Sequence, residues 1–294
     1  MSESIHIWVH SDLQLHLPEL AEETLGRAVD DLLDLRLPLD EVWCLGDALC
    51  DHKPGELEKI ARINQHHLAR LQAPVCYVMG NHEMDLKRIH DLDGYPLHEV
   101  ARRDAMWHVA DLESPFLVRR CGEYLVVLMG DHAAHDGRWW TTHGVLHGEV
   151  DRYPHLPETY QRLRRRMERY DGSVILASHY AFPGGQRPSP LLSHLLPLPA
   201  NVCLHLHGHA HIGDLVHNKE RPWQRKNPIE GTTTCHQYNI SALETLRTPG
   251  SHSALLSFGP GRPMTLRIRC HLAREWVEEF EVEIRNAGSL APVA

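Results

Sequence analysis

Seven side chains with oxygen or imidazole donors stand at five places along this chain, each directly after an apolar run. The first three runs close as Ile7-Trp8-Val9-His10-Ser11-Asp12-Leu13-Gln14, Val42-Trp43-Cys44-Leu45-Gly46-Asp47 and Val75-Cys76-Tyr77-Val78-Met79-Gly80-Asn81-His82-Glu83. The last two close as Val174-Ile175-Leu176-Ala177-Ser178-His179 and Val202-Cys203-Leu204-His205-Leu206-His207-Gly208-His209-Ala210-His211. Short apolar runs bounded by turn residues read as buried strands. In open α/β sheets, ligands gather just past the carboxyl ends of parallel strands. Five such ends can bring Asp12, Asp47, Asn81, His82, His179, His209 and His211 together. Hard oxygen and imidazole donors, with no thiolate among them, suit one or two divalent ions of the Mn, Fe or Zn type.

The intervening segments supply the elements that must hold these ends in place. Pro18 to Leu35 carries Leu20, Leu25, Val29, Leu32 and Leu33 at helical spacing, with Pro18 suited to a first turn. Gly55 to Leu71 repeats the pattern with Leu57, Ile60, Ile63, Leu68 and Leu71. Strands alternating with such helices predict right-handed crossovers and a parallel core. A short helix is expected over Met84 to Leu92, a hairpin around Cys121-Gly122-Glu123, and a basic amphipathic helix from Pro157 to Tyr170. The run Arg164 to Arg166 on that helix reads as a solvated face. Ser173 to His211 reads as strand, helix, strand. The tail carries four strands, Thr232 to Ala242, His252 to Phe258, Met264 to Cys270 and Trp276 to Ile284, expected to form or extend a second sheet packed on the first. Residues 1–285 read as a single domain and 286–294 as a frayed end.

The 294 residues are 42% hydrophobic, ordinary for a globular protein. A net charge of -9 argues against a nucleic-acid partner. Seven cysteines, an odd number without zinc-finger spacing, fit a reducing cytoplasm. Cys44, Cys76 and Cys203 read as small core hydrophobes. No run approaches the ~20 apolar residues of a membrane span, and the first strand begins too early to leave room for a targeting segment. Oligomeric state is not legible.

The series Asp12-Leu13-Gln14, Gly46-Asp47, Gly80-Asn81-His82-Glu83, Ser178-His179 and Gly208-His209-Ala210-His211 resembles the calcineurin-like metallophosphoesterase family. The family pattern runs Asp-x-His, Gly-Asp, Gly-Asn-His-Asp/Glu, His, Gly-His-x-His in that order. The match covers residues 12–211, and each block follows an expected strand. The resemblance implies an α/β fold, a four-layer α/β/β/α sandwich of two mixed sheets flanked by helices. It implies a metal-dependent phosphoric ester hydrolase with two divalent metal ions. Asp47 would bridge them, Asp12, Gln14 and His211 would complete site one, and Asn81, His179 and His209 site two. Two ions about 3.5–4 Å apart can clamp the attacking and leaving oxygens of a phosphoryl displacement. Two dications against the carboxylates Asp12 and Asp47 leave a positive surplus that favours phosphate and acidifies a coordinated water. The implied reaction is attack by a metal-bridging hydroxide. His82 would contact the phosphate and protonate the leaving oxygen, since imidazole titrates near neutral pH.

Gln14 departs from the family histidine. A neutral amide oxygen is a poorer ligand than imidazole for borderline-soft metals, so site one should be weaker and Mn²⁺ favoured, with Fe or Zn possible. Asp-x-Gln resembles the variant of the branch containing Mn-dependent ADP-ribose/CDP-alcohol diphosphatases. The substrate expected is a small-molecule phosphate ester or nucleotide, cleaved at a phosphodiester or nucleotide-diphosphate-type bond. The alternatives are a phosphomonoesterase, a one-metal protein, and a non-catalytic scaffold, which would show eroded ligands. Arg138, Trp139 and Arg187 lie in loops between the blocks and could stack a base or pair a second phosphate. Lys219 to Lys226, with Trp223, is a further candidate wall. His16 could substitute for Gln14 as a ligand, but the chain is expected to have turned away by then; Asp131-His132 could line the site, and Asp51 reads as a turn cap. His10, His205 and His207 read as satisfied groups behind the ligands, and His66, His67, His90, His98, His108, His155 and His271 as surface or partly buried.

Overall fold

The computed structural model describes residues 4–14, 17–50, 54–83, 97, 100, 103–109, 116–130, 138–141, 144–149, 156–189, 192–214, 224–232, 235–282 and 284. The helix expected over Met84 to Leu92 lies outside them. Four of the apolar runs form strands that stop one to three residues before their ligands: β1 (Ile5–His10), β2 (Glu41–Cys44), β9 (Val174–Ser178) and β10 (Val202–His207). The third run forms β3 (Val75–Tyr77), followed by three further residues before Asn81. Helices α1 (Pro18–Asp34) and α2 (Pro54–Ala69) link β1 to β2 and β2 to β3. The other strands are β4 (Trp107–Val109), β5 (Phe116–Cys121), β6 (Tyr124–Met129), β7 (Arg138–Thr141), β8 (Gly144–Glu149), β11 (Lys226–Pro228), β12 (His236–Asn239), β13 (His252–Gly259), β14 (Arg262–Cys270) and β15 (Glu275–Val282), and the third helix is α3 (Leu156–Glu168).

Two mixed sheets result. The first runs β15-β14-β13-β1-β2-β3-β4 and the second β11-β12-β10-β9-β6-β5, with β7 and β8 as a separate pair. The neighbours β1, β2, β3 and β4 are parallel, as are β12, β10, β9 and β6. Alternation along the strands builds three apolar layers. Ile7, Val9, Trp43, Leu45, Val126, Leu128, Ile175 and Leu204 fill the space between the sheets. Trp8, Val42 and Val75 face outward onto Leu25, Val29, Leu57 and Ile60 of α1 and α2. Leu125, Val174 and Leu176 face Tyr160, Leu163 and Met167 of α3. This is the four-layer α/β/β/α sandwich.

The structure corrects three expectations. Of the tail strands only β12 joins the second sheet, whereas β13, β14 and β15 extend the first as an antiparallel meander beginning at β1. β13 is buried on both faces, so its pattern carried no sign of which sheet it would enter. Among the described residues between β9 and β10 there is a single 3₁₀ turn, Leu192–Leu195, rather than a helix. Pro183, Pro188, Pro190, Pro197 and Pro199 crowd that connection and remove backbone donors. His271 and His67 are buried, where both were expected at the surface or partly buried; His90, His98 and His155 lie outside the described residues. Among the described residues, no helix is long and apolar enough to cross a membrane.

Candidate metal centre

The loops that follow β1, β2, β3, β9 and β10 converge. The N–H of Asp12 donates to the Gly46 carbonyl at 3.0 Å and that of Gln14 to the Asp47 carbonyl at 2.9 Å, which ties the first two loops together. Across the sheets, the His209 N–H donates to Asp12 Oδ2 at 2.9 Å, and His179 Nδ1 meets the Leu45 carbonyl at 2.7 Å. Asp12, Asp47 and His209 adopt positive φ values of 55°, 53° and 60°. These residue types enter the left-handed region more readily than others, and such backbones concentrate at functional sites. Two glycines permit the close approach. A Cβ on Gly80 would sit 2.2 Å from Asp47 Oδ1, and one on Gly208 would sit 2.0 Å from Ser11 Oγ.

The candidate site-two donors Asp47, His179 and His209 have ligand atoms all within 4.8 Å of one another. His179 Nε2 is 3.1 Å from Asp47 Oδ2 and 3.0 Å from Asn81 Oδ1. The buried Asn81 Nδ2 has no partner. The candidate site-one donors are linked in a chain. His211 Nε2 is 3.0 Å from Asp12 Oδ1 and 3.0 Å from the Gln14 amide, whose other atom lies 3.2 Å from Asp47 Oδ2. Asp47 thus touches both groups. Oxygen and imidazole donors crowded against an orphaned amide fit a pair of divalent cations.

His82 and His209 are half-buried, while the other candidate ligands are buried. The His82 N–H donates to Asp47 Oδ1 at 2.9 Å. Its ring Nε2 lies 3.9 Å from Asp47 Oδ2 and its Nδ1 3.9 Å from Cys50 Sγ. Burial favours neutral His179, but the Asp47 carboxylate overrides it and lifts the imidazole to about 10. The same contest, won by Asp12, raises His211, and reciprocally His211 holds Asp12 below the usual range despite burial. His209 is pushed well below its ordinary value by burial and by His179, with Arg187 contributing. The carboxylates therefore draw positive charge onto their imidazole neighbours, the electrostatic demand that divalent cations would meet.

Two buried acids that the sequence did not single out for a role hold the loops. Glu83 Oε2 accepts the N–H groups of Asp47 (2.8 Å) and Gly80 (2.7 Å), and Oε1 accepts the Leu49 N–H (3.0 Å) and the Tyr77 hydroxyl (2.8 Å). Glu244 Oε1 meets His211 Nδ1 at 3.1 Å and so orients a candidate ligand. Glu83 stands in the Gly-Asn-His-Glu block and was within reach of sequence reading. Glu244 follows β12 with no local signal.

Arg187 is exposed, with φ 48°, and close enough to His209 to perturb it. Arg138 and Trp139 lie on β7, whose side chains are outside the described residues, as are His16, Asp51, Asp131, His132 and 219–223. The expectation that His10, His205 and His207 are satisfied is corrected for His10 and holds in part for the other two, since His205 Nε2 meets Ser178 Oγ at 2.7 Å and His207 Nδ1 the Gly208 carbonyl at 3.1 Å. Both ring nitrogens of His10, Nδ1 of His205 and Nε2 of His207 are buried without hydrogen bonds. Desolvation keeps all three neutral, His10 at about 3 and His207 at about 4.

A family model described as calcineurin-like phosphoesterase matches residues 5–213. Among solved structures, a dimetal phosphatase from Danio rerio is similar at TM-score 0.65 and 14% identity, over 96% of this chain and 99% of that one. GAP50, the anchor in the inner membrane complex of Plasmodium, aligns at TM-score 0.55 and 10% identity, over 96% and 89%. A purple acid phosphatase from yellow lupin seeds aligns at TM-score 0.53 and 11% identity, over 95% of this chain and 54% of that one. At these identities the likeness is one of fold. No curated protein matches the sequence.

Proposed function

The chain belongs to the calcineurin-like phosphoesterase family, and for this metal-dependent phosphoric ester hydrolase with a dinuclear divalent centre we propose cleavage of a phosphodiester or nucleotide-diphosphate-type bond in a small-molecule substrate. Mn²⁺ is the proposed metal. The observation that carries the finer reading is the place of Gln14, whose amide sits between His211 Nε2 and Asp47 Oδ2 where the family has an imidazole. A hard amide oxygen favours Mn²⁺ over Zn²⁺, and the Asp-x-Gln variant resembles a diphosphatase branch.

Asp12, Gln14, Asp47 and His211 would hold one ion, and Asp47, Asn81, His179 and His209 the other. Bound there, two divalent cations supply Lewis-acid polarisation of the phosphoryl group and acidify water. The chain supplies the rest. Glu83 fixes the Asp47 and Gly80 backbones, which sets the span between the loops. Half-buried His82, its Nε2 3.9 Å from Asp47 Oδ2, would hold a proton at its ring for the leaving oxygen. Burial of the carboxylates excludes bulk water and strengthens their hold on cations. Seven free, buried cysteines support a reducing, cytoplasmic location.

The test is hydrolysis of bis(p-nitrophenyl) phosphate against p-nitrophenyl phosphate with Mn²⁺, with Asp47→Asn as control. Diester turnover abolished in the control is expected. Preference for the monoester would transfer the protein to the phosphomonoesterases. Activity that survives chelation would refute the metal-dependent reading.

A further inference from the structure

Glu244 and Arg247 lie on the turn after β12, pinned against the end of β1. The N–H groups of Leu243 and Glu244 donate to the carbonyls of Ser11 and Asp12, both at 3.0 Å. From this fixed base the Arg247 side chain, 35% exposed, reaches site one, where its Nη2 contacts the Gln14 amide. Arg247 Nε is only loosely paired with Glu244 Oε1, at 3.4 Å. The Glu244 carboxylate is already shared among His211 Nδ1, the Thr248 hydroxyl and the N–H groups of Leu246 and Arg247. Much of the guanidinium charge is therefore left for another partner.

The Gln14 amide has two orientations with opposite consequences for Arg247. With its oxygen toward Arg247, it accepts from the guanidinium and from His211, and its nitrogen donates to Asp47 Oδ2 and to His82 Nε2 at 2.7 Å. Every contact is then satisfied without a cation. With its oxygen toward Asp47, the orientation a metal ligand needs, the amide N–H₂ and Arg247 Nη2 face each other as donor against donor. Two converging donors, one of them cationic, require an acceptor between or beside them. Anionic oxygens satisfy guanidinium donors best.

We infer that Arg247 is a specificity-determining residue that binds a second anionic group, a phosphoryl adjacent to the scissile one, when Gln14 turns its oxygen to site one. Arg187 is a second exposed cation near enough to the centre to lower the His209 imidazole. The inference rests on the phosphoesterase reading and narrows its substrate to compounds with linked phosphates.

The test is calorimetric binding of α,β-methylene adenosine diphosphate and adenosine monophosphate to the Mn²⁺-loaded protein, with Mn²⁺ in excess. A charge-assisted contact made by only one ligand predicts at least about tenfold tighter binding of the diphosphate analogue to the wild type. Arg247→Ala should bring the ratio of the two dissociation constants to within about threefold, and Arg247→Lys should leave it intermediate. If Arg247→Ala does not fold, as judged by thermal melting, the lysine variant carries the comparison. A wild type without the preference, an unchanged ratio in the variants, or equal weakening for both ligands would overturn the assignment. The nitrophenyl assay is read separately. Absence of the diphosphate preference in an active wild type refutes the Arg247 assignment alone, whereas the preference in a protein inactive on both nitrophenyl esters counts against the diester reading alone.

Discussion

Replacing Glu83 with glutamine tests whether the candidate centre is held by its backbone or only by its ligands. The buried carboxylate accepts four donors, two on each oxygen. Burial and the neighbouring Asp47 raise its proton affinity, while the hydrogen bonds oppose that rise. A glutamine does best with its oxygen in the place of Oε2, where it keeps the Asp47 and Gly80 N–H groups. Its N–H₂ then faces the Leu49 N–H and the Tyr77 hydroxyl. The hydroxyl can rotate to accept, but the Leu49 N–H cannot, and orphaning it costs about 1–3 kcal/mol. Loss of charge assistance on the two retained bonds costs about 1 kcal/mol each, offset in part by removing a buried charge. The net is about 3 kcal/mol, a fall of roughly 5 °C in Tm for a chain of 294 residues. The weaker, uncharged bonds to Asp47 and Gly80 would also blur the ligand positions, weakening Mn²⁺ binding by about 10–100-fold. Scanning calorimetry of the metal-free variant and Mn²⁺ titration read the two effects. A Tm within about 2 °C of wild type with unchanged Mn²⁺ affinity would refute the reasoning.

Gln14→His should raise Zn²⁺ affinity relative to Mn²⁺ by about tenfold, because imidazole suits the softer ion; equal selectivity in a two-metal titration would count against Gln14 as a ligand. Glu244→Gln removes the negative partner of His211 Nδ1 at 3.1 Å and should weaken Mn²⁺ binding by about tenfold, with little change in Tm; an unaltered titration would show that Glu244 only braces its turn. The metal-free protein should be most stable near neutral pH. Burial depresses His10 to about 3 and His252 to about 4, so below pH ~6.5 the unfolded chain binds more protons and stability falls by about 1.4 kcal/mol per pH unit for each. His179 is raised to about 10 by Asp47, so its contribution is full below pH ~6.5 and is lost as pH climbs toward that value. Urea midpoints that do not change from pH 5 to 9 would contradict both.

The residues of the candidate centre were legible because each is announced locally. A short apolar run followed by glycine and a hard donor marks a strand end wherever it lies, and order along the chain adds what no single block carries. Gly80 and Gly208 are written into those blocks because a Cβ there would collide with the neighbouring loop. The sequence by itself thus determined the crossover topology of β1 to β3 and the identity of the candidate ligands. Tertiary structure alone decided how the partners are shared. β13, buried on both faces, is compatible with either sheet, and its pairing with β1 decided the matter. The pairing of Glu244 with His211, and of Arg247 with Gln14, joins residues far apart in the chain. Periodicity reports which face of an element is buried, but a polar contact between distant turns depends on where the packed sheets bring those turns, and that is fixed only when the whole core has formed.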